Sequence, residues 1–223
     1  MIEFSKIERY IFDLDFTIIA HNDEEEVSEI ASYLGIYNVS KFKEEVINFF
    51  LNNEKQIGYR KLDMDYYEKI VNFMIPTLRD EAKKPSEFIQ AVANRQGILM
   101  NGARETLEHL YNKNFYIVAF TNGFAANQAK VLQKLGILDC FERIYGWDNY
   151  YPKPYKKAFL RCLDGKDPRK IIYTGDSAVN DIAPAKKVGM NTFGYCIDRV
   201  KFKDQIYVPD MYINDLREII TVV

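Results

Sequence analysis

The chain has 223 residues, with 48% apolar and 28% charged side chains, which fits one large domain or a core domain carrying a smaller insertion. Thirty Lys and Arg against 32 Asp and Glu leave a formal net charge of -2, so no global basic surface is available for a nucleic-acid polymer. An aromatic share of 14% argues against extended disorder, and no apolar run approaches the roughly 18 residues of a membrane span.

Met1 to Phe12 contains Glu3, Lys6, Glu8 and Arg9 and so lacks the apolar core of a signal peptide. Cys140, Cys162 and Cys196 form no paired spacing, which reads as buried thiols in a reducing compartment. A cytoplasmic protein is the expectation.

Tyr10-Ile11-Phe12 is a short apolar run that ends at Asp13. The next stretch, from Ile18 to Gln96, has a different rhythm. Val27, Ile30, Ala31 and Leu34 recur at helical spacing, and Ser40 is placed to cap a second helix through Phe42, Val46, Phe49 and Phe50. Tyr66, Tyr67, Ile70, Val71 and Met74 mark a third helix that Pro76 ends or kinks, and Ser86 opens a fourth through Phe88, Ile89 and Val92. Beyond it, helices are expected over Gly102 to Tyr111, Asn127 to Leu135, Tyr155 to Leu163 and Asp181 to Val188. They alternate with apolar runs at Phe115 to Phe120, Ile171 to Tyr173 and Asn191 to Cys196. Asp210 to Val223 reads as a late strand or turn followed by a packing helix. Continuous apolar strands separated by helices predict a Rossmann-like α/β core with a parallel sheet covered on both faces. The expected division is a core of 1–17 and 97–223 with a helical insertion over 18–96.

Four elements carry chemistry. They are Asp13-Leu14-Asp15-Phe16-Thr17, Thr121-Asn122-Gly123, Lys153-Pro154, and Gly175-Asp176-Ser177-Ala178-Val179-Asn180-Asp181. Three of them directly follow expected strands, and a parallel sheet gathers strand C-termini on one edge, where ligands bind. Carboxylates meeting there repel unless a cation intervenes, and oxygen ligands without His or Cys favour Mg²⁺ over Zn²⁺. One carboxylate can attack while its neighbour handles protons. Lys153 can offset the anionic cluster, and Thr121 with nearby backbone N–H groups can hold phosphoryl oxygens. This is equipment for phosphoryl transfer through an aspartyl intermediate. Each element alone has a plainer reading as a turn, a cap or an exposed lysine, so the specificity lies in the ordered set.

In order and content the four elements resemble the motifs of the haloacid dehalogenase-like hydrolase superfamily, mostly Mg²⁺-dependent phosphatases, from about Tyr10 to Tyr195. The insertion resembles the helical cap of the superfamily's first cap class. The resemblance implies Asp13 as nucleophile and Asp15 as general acid and base. It implies Thr121 and the backbone near Asn122 as phosphate contacts, and Lys153 as the group steadying nucleophile and phosphoryl group. Mg²⁺ would be held by Asp13, the backbone carbonyl of Asp15 and Asp176, with Asp181 holding a metal-bound water or Lys153. Thr17, Ser177 and Asn180 would support. Phe16 stands where relatives usually have glycine or aspartate, which makes it a candidate for specificity, either packed beneath the cap or exposed at the crevice mouth. Thr121-Asn122-Gly123-Phe124 with Gln128 is similar to members acting on nucleoside monophosphates and to sugar-phosphate phosphatases.

The leading expectation is a Mg²⁺-dependent phosphomonoester hydrolase, nucleotidase-like, acting on a small phosphorylated metabolite, with a nucleoside monophosphate favoured. The runner-up is a phosphomutase on a sugar phosphate, separated by whether free phosphate accumulates. A dehalogenase has no need of an acid at Asp15, and a non-catalytic binding protein would not need every charged motif residue. No nucleic-acid polymer or membrane partner is expected, and the chain is expected as a monomer or homodimer. His21 and His109 read as exposed, and Trp147, Tyr150 and Tyr151, close before Lys153, read either as one wall of the crevice or as core or partly exposed packing.

Overall fold

Tyr10, Ile11 and Phe12 are fully buried, as a strand apolar on both faces must be when it runs through the middle of a sheet. In the computed structural model, which describes residues 2–20, 28, 31–32, 35–42, 44, 97–146, 149, 151–195 and 206–223, they form β1 (Arg9–Phe12). The remaining strands are β2 (Ile19–Ala20), β3 (Ile98–Leu99), β4 (Tyr116–Phe120), β5 (Arg143–Tyr145), β6 (Ile171–Gly175), β7 (Asn191–Tyr195) and β8 (Met211–Ile213). Six of these make one sheet in the order β5-β4-β1-β6-β7-β8. Every pairing in it is parallel. Phe12 lies opposite both Ala119 and Thr174, so β1 ends level with its two neighbours. The connection from β1 leads to β4 on one side, and the chain later returns to β6 on the other. That reversal opens a crevice at the carboxyl edge, beside β1.

The helices between the strands are α1 (Ala103–Asn112), α2 (Ala125–Lys134), α3 (Lys156–Cys162) and α4 (Ala183–Lys187). Period-two alternation divides the core between the two faces. Tyr10, Phe12, Ile117 and Ile172 join Leu107 and Leu110 of α1, Val131 and Leu132 of α2, and Leu216 and Ile219 of the C-terminal 3₁₀ helix. Ile11, Val118, Phe120 and Tyr173 join Ala158 and Phe159 of α3 and Ala185 of α4 on the other face. Phe159 contacts Phe120 and Tyr173 at ring separations of 5.3 and 5.2 Å. Fully burying such a ring contributes about 1.5–3 kcal/mol. Arg9 at the start of β1 is also buried, and its Nη1 donates to the Cys162 carbonyl at 2.8 Å, placing a cation on the C-terminus of α3.

β2 and β3 pair antiparallel, with Ile19 opposite Leu99, so the chain leaves the core and returns to it side by side. Between them, the described residues 31–32 and 39–42 are helical. The second of these segments is capped two residues earlier than expected. Asn38, not Ser40, accepts from the Lys41 N–H at 3.0 Å, and the Phe42 N–H bonds the Asn38 carbonyl. The expected stripes from Val46 to Val92 lie outside the described residues, as do His21, Trp147, Tyr150, Cys196 and the basic stretch Arg199 to Lys203. Among the described residues, no helix is long and apolar enough to cross a membrane. Cys140 and Cys162 are buried free thiols, and His109 is half-buried rather than exposed.

Candidate active site

β1 delivers Asp13 to the carboxyl edge, where its N–H donates to the Thr174 carbonyl at 2.9 Å and anchors it to β6. The chain then folds back on itself: the N–H groups of Thr17, Ile18 and Ile19 all donate to the Leu14 carbonyl. Phe16 sits in this turn with φ of +64°, and its ring is 51% exposed. Thr17 is buried, and its hydroxyl donates to Asp13 Oδ2 over a long 3.4 Å.

Lys153 is the pivot of the site. Its Nζ donates to Asp13 Oδ1 at 2.6 Å and to Asp181 Oδ1 at 2.7 Å, with both the lysine and its partners buried. Burial alone would lower the lysine's pKa, but Asp13 and Asp181 outweigh it and hold the value above the usual range, so the group is an ammonium. Asp13 is pushed well above the ordinary carboxylate range, first by burial; Lys153 opposes this, and the Asp181 and Asp176 charges add to it.

Asp181 is held from three sides. Oδ1 accepts from Lys153 and from the Tyr173 hydroxyl at 2.8 Å, and Oδ2 accepts from the Ser177 N–H at 3.0 Å. Ser177 in turn accepts from the Asn180 N–H and caps the wide helical turn Ala178–Ile182 that leads into α4. Asp181 lies directly over β6. A Cβ added at Gly175 would stand 2.5 Å from Asp181 Cγ, so only glycine admits the carboxylate there.

On the opposite side of β1, Thr121 follows β4. Its Oγ1 accepts from the Gly123 N–H at 2.9 Å and donates to Asp15 Oδ2 at 3.3 Å. The Asn122 side chain faces the lysine's backbone. Its Oδ1 accepts from the Lys153 N–H at 2.7 Å, and its Nδ2 donates to the Lys153 carbonyl at 3.2 Å. That amide therefore ties the threonine loop to the lysine loop. Tyr151 lies outside this group, partly exposed, with the Lys157 ammonium 4.7 Å from its ring centre.

The structure thus brings Asp13, Asp15, Thr121, Asn122, Lys153, Asp176 and Asp181 to one edge. Tyr173 emerged only from the fold, whereas Gln128, already part of the resemblance in sequence, gains its contact there. Tyr173 reads as core in sequence, although the strand's period of two places it on the same side as Gly175. Gln128 of α2 donates from Nε2 to both oxygens of Asp15, at 3.1 and 2.9 Å. Asp13, Asp176 and Asp181 can each offer one oxygen within 4.8 Å of the others. A donor set of carboxylates alone suits a hard divalent cation such as Mg²⁺.

Fold and crevice are those of a Rossmann-like α/β enzyme. The family described as haloacid dehalogenase-like hydrolase matches residues 10–195, and the chain belongs to it. The curated relatives that match this chain include a nucleotidase and several phosphatases. A pyrimidine 5'-nucleotidase of Streptococcus pneumoniae is 22% identical over 83% of this chain and 82% of its own length. A phosphoglycolate phosphatase of Haemophilus influenzae is 25% identical over 95% of this chain and 96% of its own. Among solved structures, the HAD-hydrolase YfnB from Bacillus subtilis, bound to magnesium, superposes with a TM-score of 0.77 at 20% identity, covering 97% of this chain and 98% of that one. The enzyme class is therefore that of a phosphatase of this family.

Proposed function

We propose that this protein is a Mg²⁺-dependent phosphomonoester hydrolase that works through an aspartyl phosphate on Asp13. The observation that carries the reading is the Lys153 ammonium bridging Asp13 and Asp181 in a buried site beside the Thr121 loop. In this scheme the ammonium holds Asp13 Oδ1, orienting the carboxylate for attack on phosphorus. The ester P–O bond breaks, and Asp15 gives its proton to the departing oxygen. Asp15 then takes a proton from water as the water oxygen attacks the same phosphorus, releasing inorganic phosphate and regenerating Asp13. Thr121 and the N–H groups of its loop hold the non-bridging oxygens. Asp13, the Asp15 carbonyl and Asp176 would hold Mg²⁺, whose charge offsets that of the phosphoryl group. Residues 18–96 would form a cap over the crevice, with 1–17 and 97–223 as the core.

The substrate class is a small phosphorylated metabolite of the cytoplasm. A nucleoside monophosphate is favoured, supported by the nucleotidase among the relatives, with phosphoglycolate as the competing compound. The test is a phosphate-release screen over nucleotides, sugar phosphates and phosphoglycolate with Mg²⁺ present, run beside Asp13→Asn. The amide keeps the shape of the carboxylate but cannot form the acyl phosphate. Turnover should fall by roughly 10⁴-fold or more, on the scale of losing a nucleophile, without loss of folded structure. An Asp13→Asn variant that retains most of its phosphate release would refute the covalent scheme.

A further inference from the structure

We propose that Gln128 is the positioning residue for Asp15, holding its carboxyl group aimed for proton transfer; this rests on the phosphatase reading given above. Gln128 lies in α2, is 4% exposed, and points one Nε2 donor at both oxygens of Asp15, at 3.1 and 2.9 Å. An amide oxygen turned toward a carboxylate would repel it, so the donor end must be the end that faces Asp15. The other end of the amide, Oε1, is buried with no hydrogen-bond partner among the described residues. A half-satisfied buried amide destabilises the helix packing, where a leucine of similar size would not. Stability therefore gives no reason for the residue, and orientation of Asp15 does.

A second observation supports the same contact. A Cβ added at Gly123 would stand 2.9 Å from Gln128 Nε2 and 3.4 Å from its Cγ. The glycine of the Thr121 loop thus leaves the space through which the amide reaches Asp15. Thr121 also reaches that carboxylate, at 3.3 Å, through a hydroxyl oxygen that serves the Gly123 N–H as well. Without Gln128, Asp15 would lose the donor that engages both of its carboxylate oxygens.

The consequence is selective. A poorly leaving alkoxide needs its proton delivered in the transition state, whereas p-nitrophenolate leaves without one. Gln128→Leu should therefore lower kcat on an alkyl phosphate by about 10²-fold, the low end of general acid-base contributions. It should change kcat on p-nitrophenyl phosphate only a few-fold, and KM for either by less than about threefold, since binding is not what the residue serves. Gln128→Glu, nearly the same in volume, serves as the second variant should the leucine disturb folding. It replaces the donor by a like charge and should reproduce the selective loss or deepen it. Combined with Asp15→Asn, either change should add little further loss, because both act on one group. An equal loss on both substrates, or an unchanged alkyl-to-aryl ratio in folded variants, would overturn the role of Gln128 alone. A parent enzyme that releases phosphate from neither substrate would overturn the phosphatase reading and this role with it.

Discussion

The Phe16 backbone occupies the left-handed region at φ of +64°, where an L side chain crowds its own carbonyl. The turn requires this conformation, because the Phe16 N–H donates to the Ile19 carbonyl at 2.8 Å while Leu14 accepts from three N–H groups behind it. Glycine would hold the same turn without steric cost, so a half-exposed phenylalanine is kept there against the local preference. Two substitutions separate conformation from ring. Phe16→Ala and Phe16→Gly remove the same ring, but only alanine keeps the strained φ, so the glycine variant should be the more stable by roughly 1 kcal/mol in denaturant titration. Kinetics then report on the ring. If it stacks on a nucleobase, a contact of about 1–3 kcal/mol, both variants should raise KM for nucleotides about 10-fold or more and leave sugar phosphates nearly unchanged. A uniform change across substrates would assign the ring to packing.

Strand β6 shows how an element can deliver a site through what it leaves out. Thr174 and Gly175 close the strand, and the wide turn after Ser177 brings Asp181 back over Gly175, where Tyr173 and the Ser177 N–H lock it. A methyl group at 175 would stand 2.5 Å from Asp181 Cγ, which is neither mobile nor exposed. Gly175→Ala should therefore cost about 1–3 kcal/mol in stability, as overpacked cores do. It should also move Asp181 off Lys153, reducing turnover well beyond the stability loss; full activity in the folded variant would show that the Asp181 contact is dispensable. The strands that carry the site were legible because each is a continuous apolar run broken by polar turn residues, which is how a strand covered on both faces must read. Arg143–Tyr145 was not, since a three-residue edge strand that is exposed or half-buried along its length carries neither an apolar run nor a period. The β2–β3 pair was hidden for another reason: two-residue strands nearly eighty positions apart in sequence have no local signature, and their pairing exists only in the folded chain. Within the site, Asp13 and Asp176 stood out as charges at strand ends, and Lys153 and Asp181 only as members of the ordered set. Tyr173 and the role of Gln128 did not, because a polar group inside an apolar stretch declares itself only through its partner.

On the scale of the whole molecule, folding concentrates charge that the sequence disperses. The net charge is only -2, yet oxygens of Asp13, Asp176 and Asp181 converge within 4.8 Å of one another, with the Lys153 ammonium bridging Asp13 and Asp181. That arrangement is unfavourable by itself: burial and the neighbouring aspartates both act against the Asp13 anion. A divalent cation would relieve it, and only in the folded state, since the unfolded chain holds these groups far apart. Binding must then appear as stability. At a Mg²⁺ concentration 100 times Kd the linkage is about 2.7 kcal/mol. For a chain of this size that corresponds to a rise in Tm of about 5–10 °C over the chelator-treated protein. Activity should vanish in chelator and return with Mg²⁺, and less well with Ca²⁺, which is larger and tolerates a looser shell. Asp176→Asn separates this from a general effect of ionic strength, because it removes one charged oxygen donor while leaving the Lys153 bridge in place. Its Tm in chelator should match or exceed the parent's, as a crowding charge is gone, while its Mg²⁺-dependent rise should shrink to a small fraction. If the parent gains no stability from Mg²⁺, or if Asp176→Asn gains as much as the parent, the cation does not sit among these carboxylates. A protein that turned over fully after metal removal would exclude the hard cation from the reaction as well.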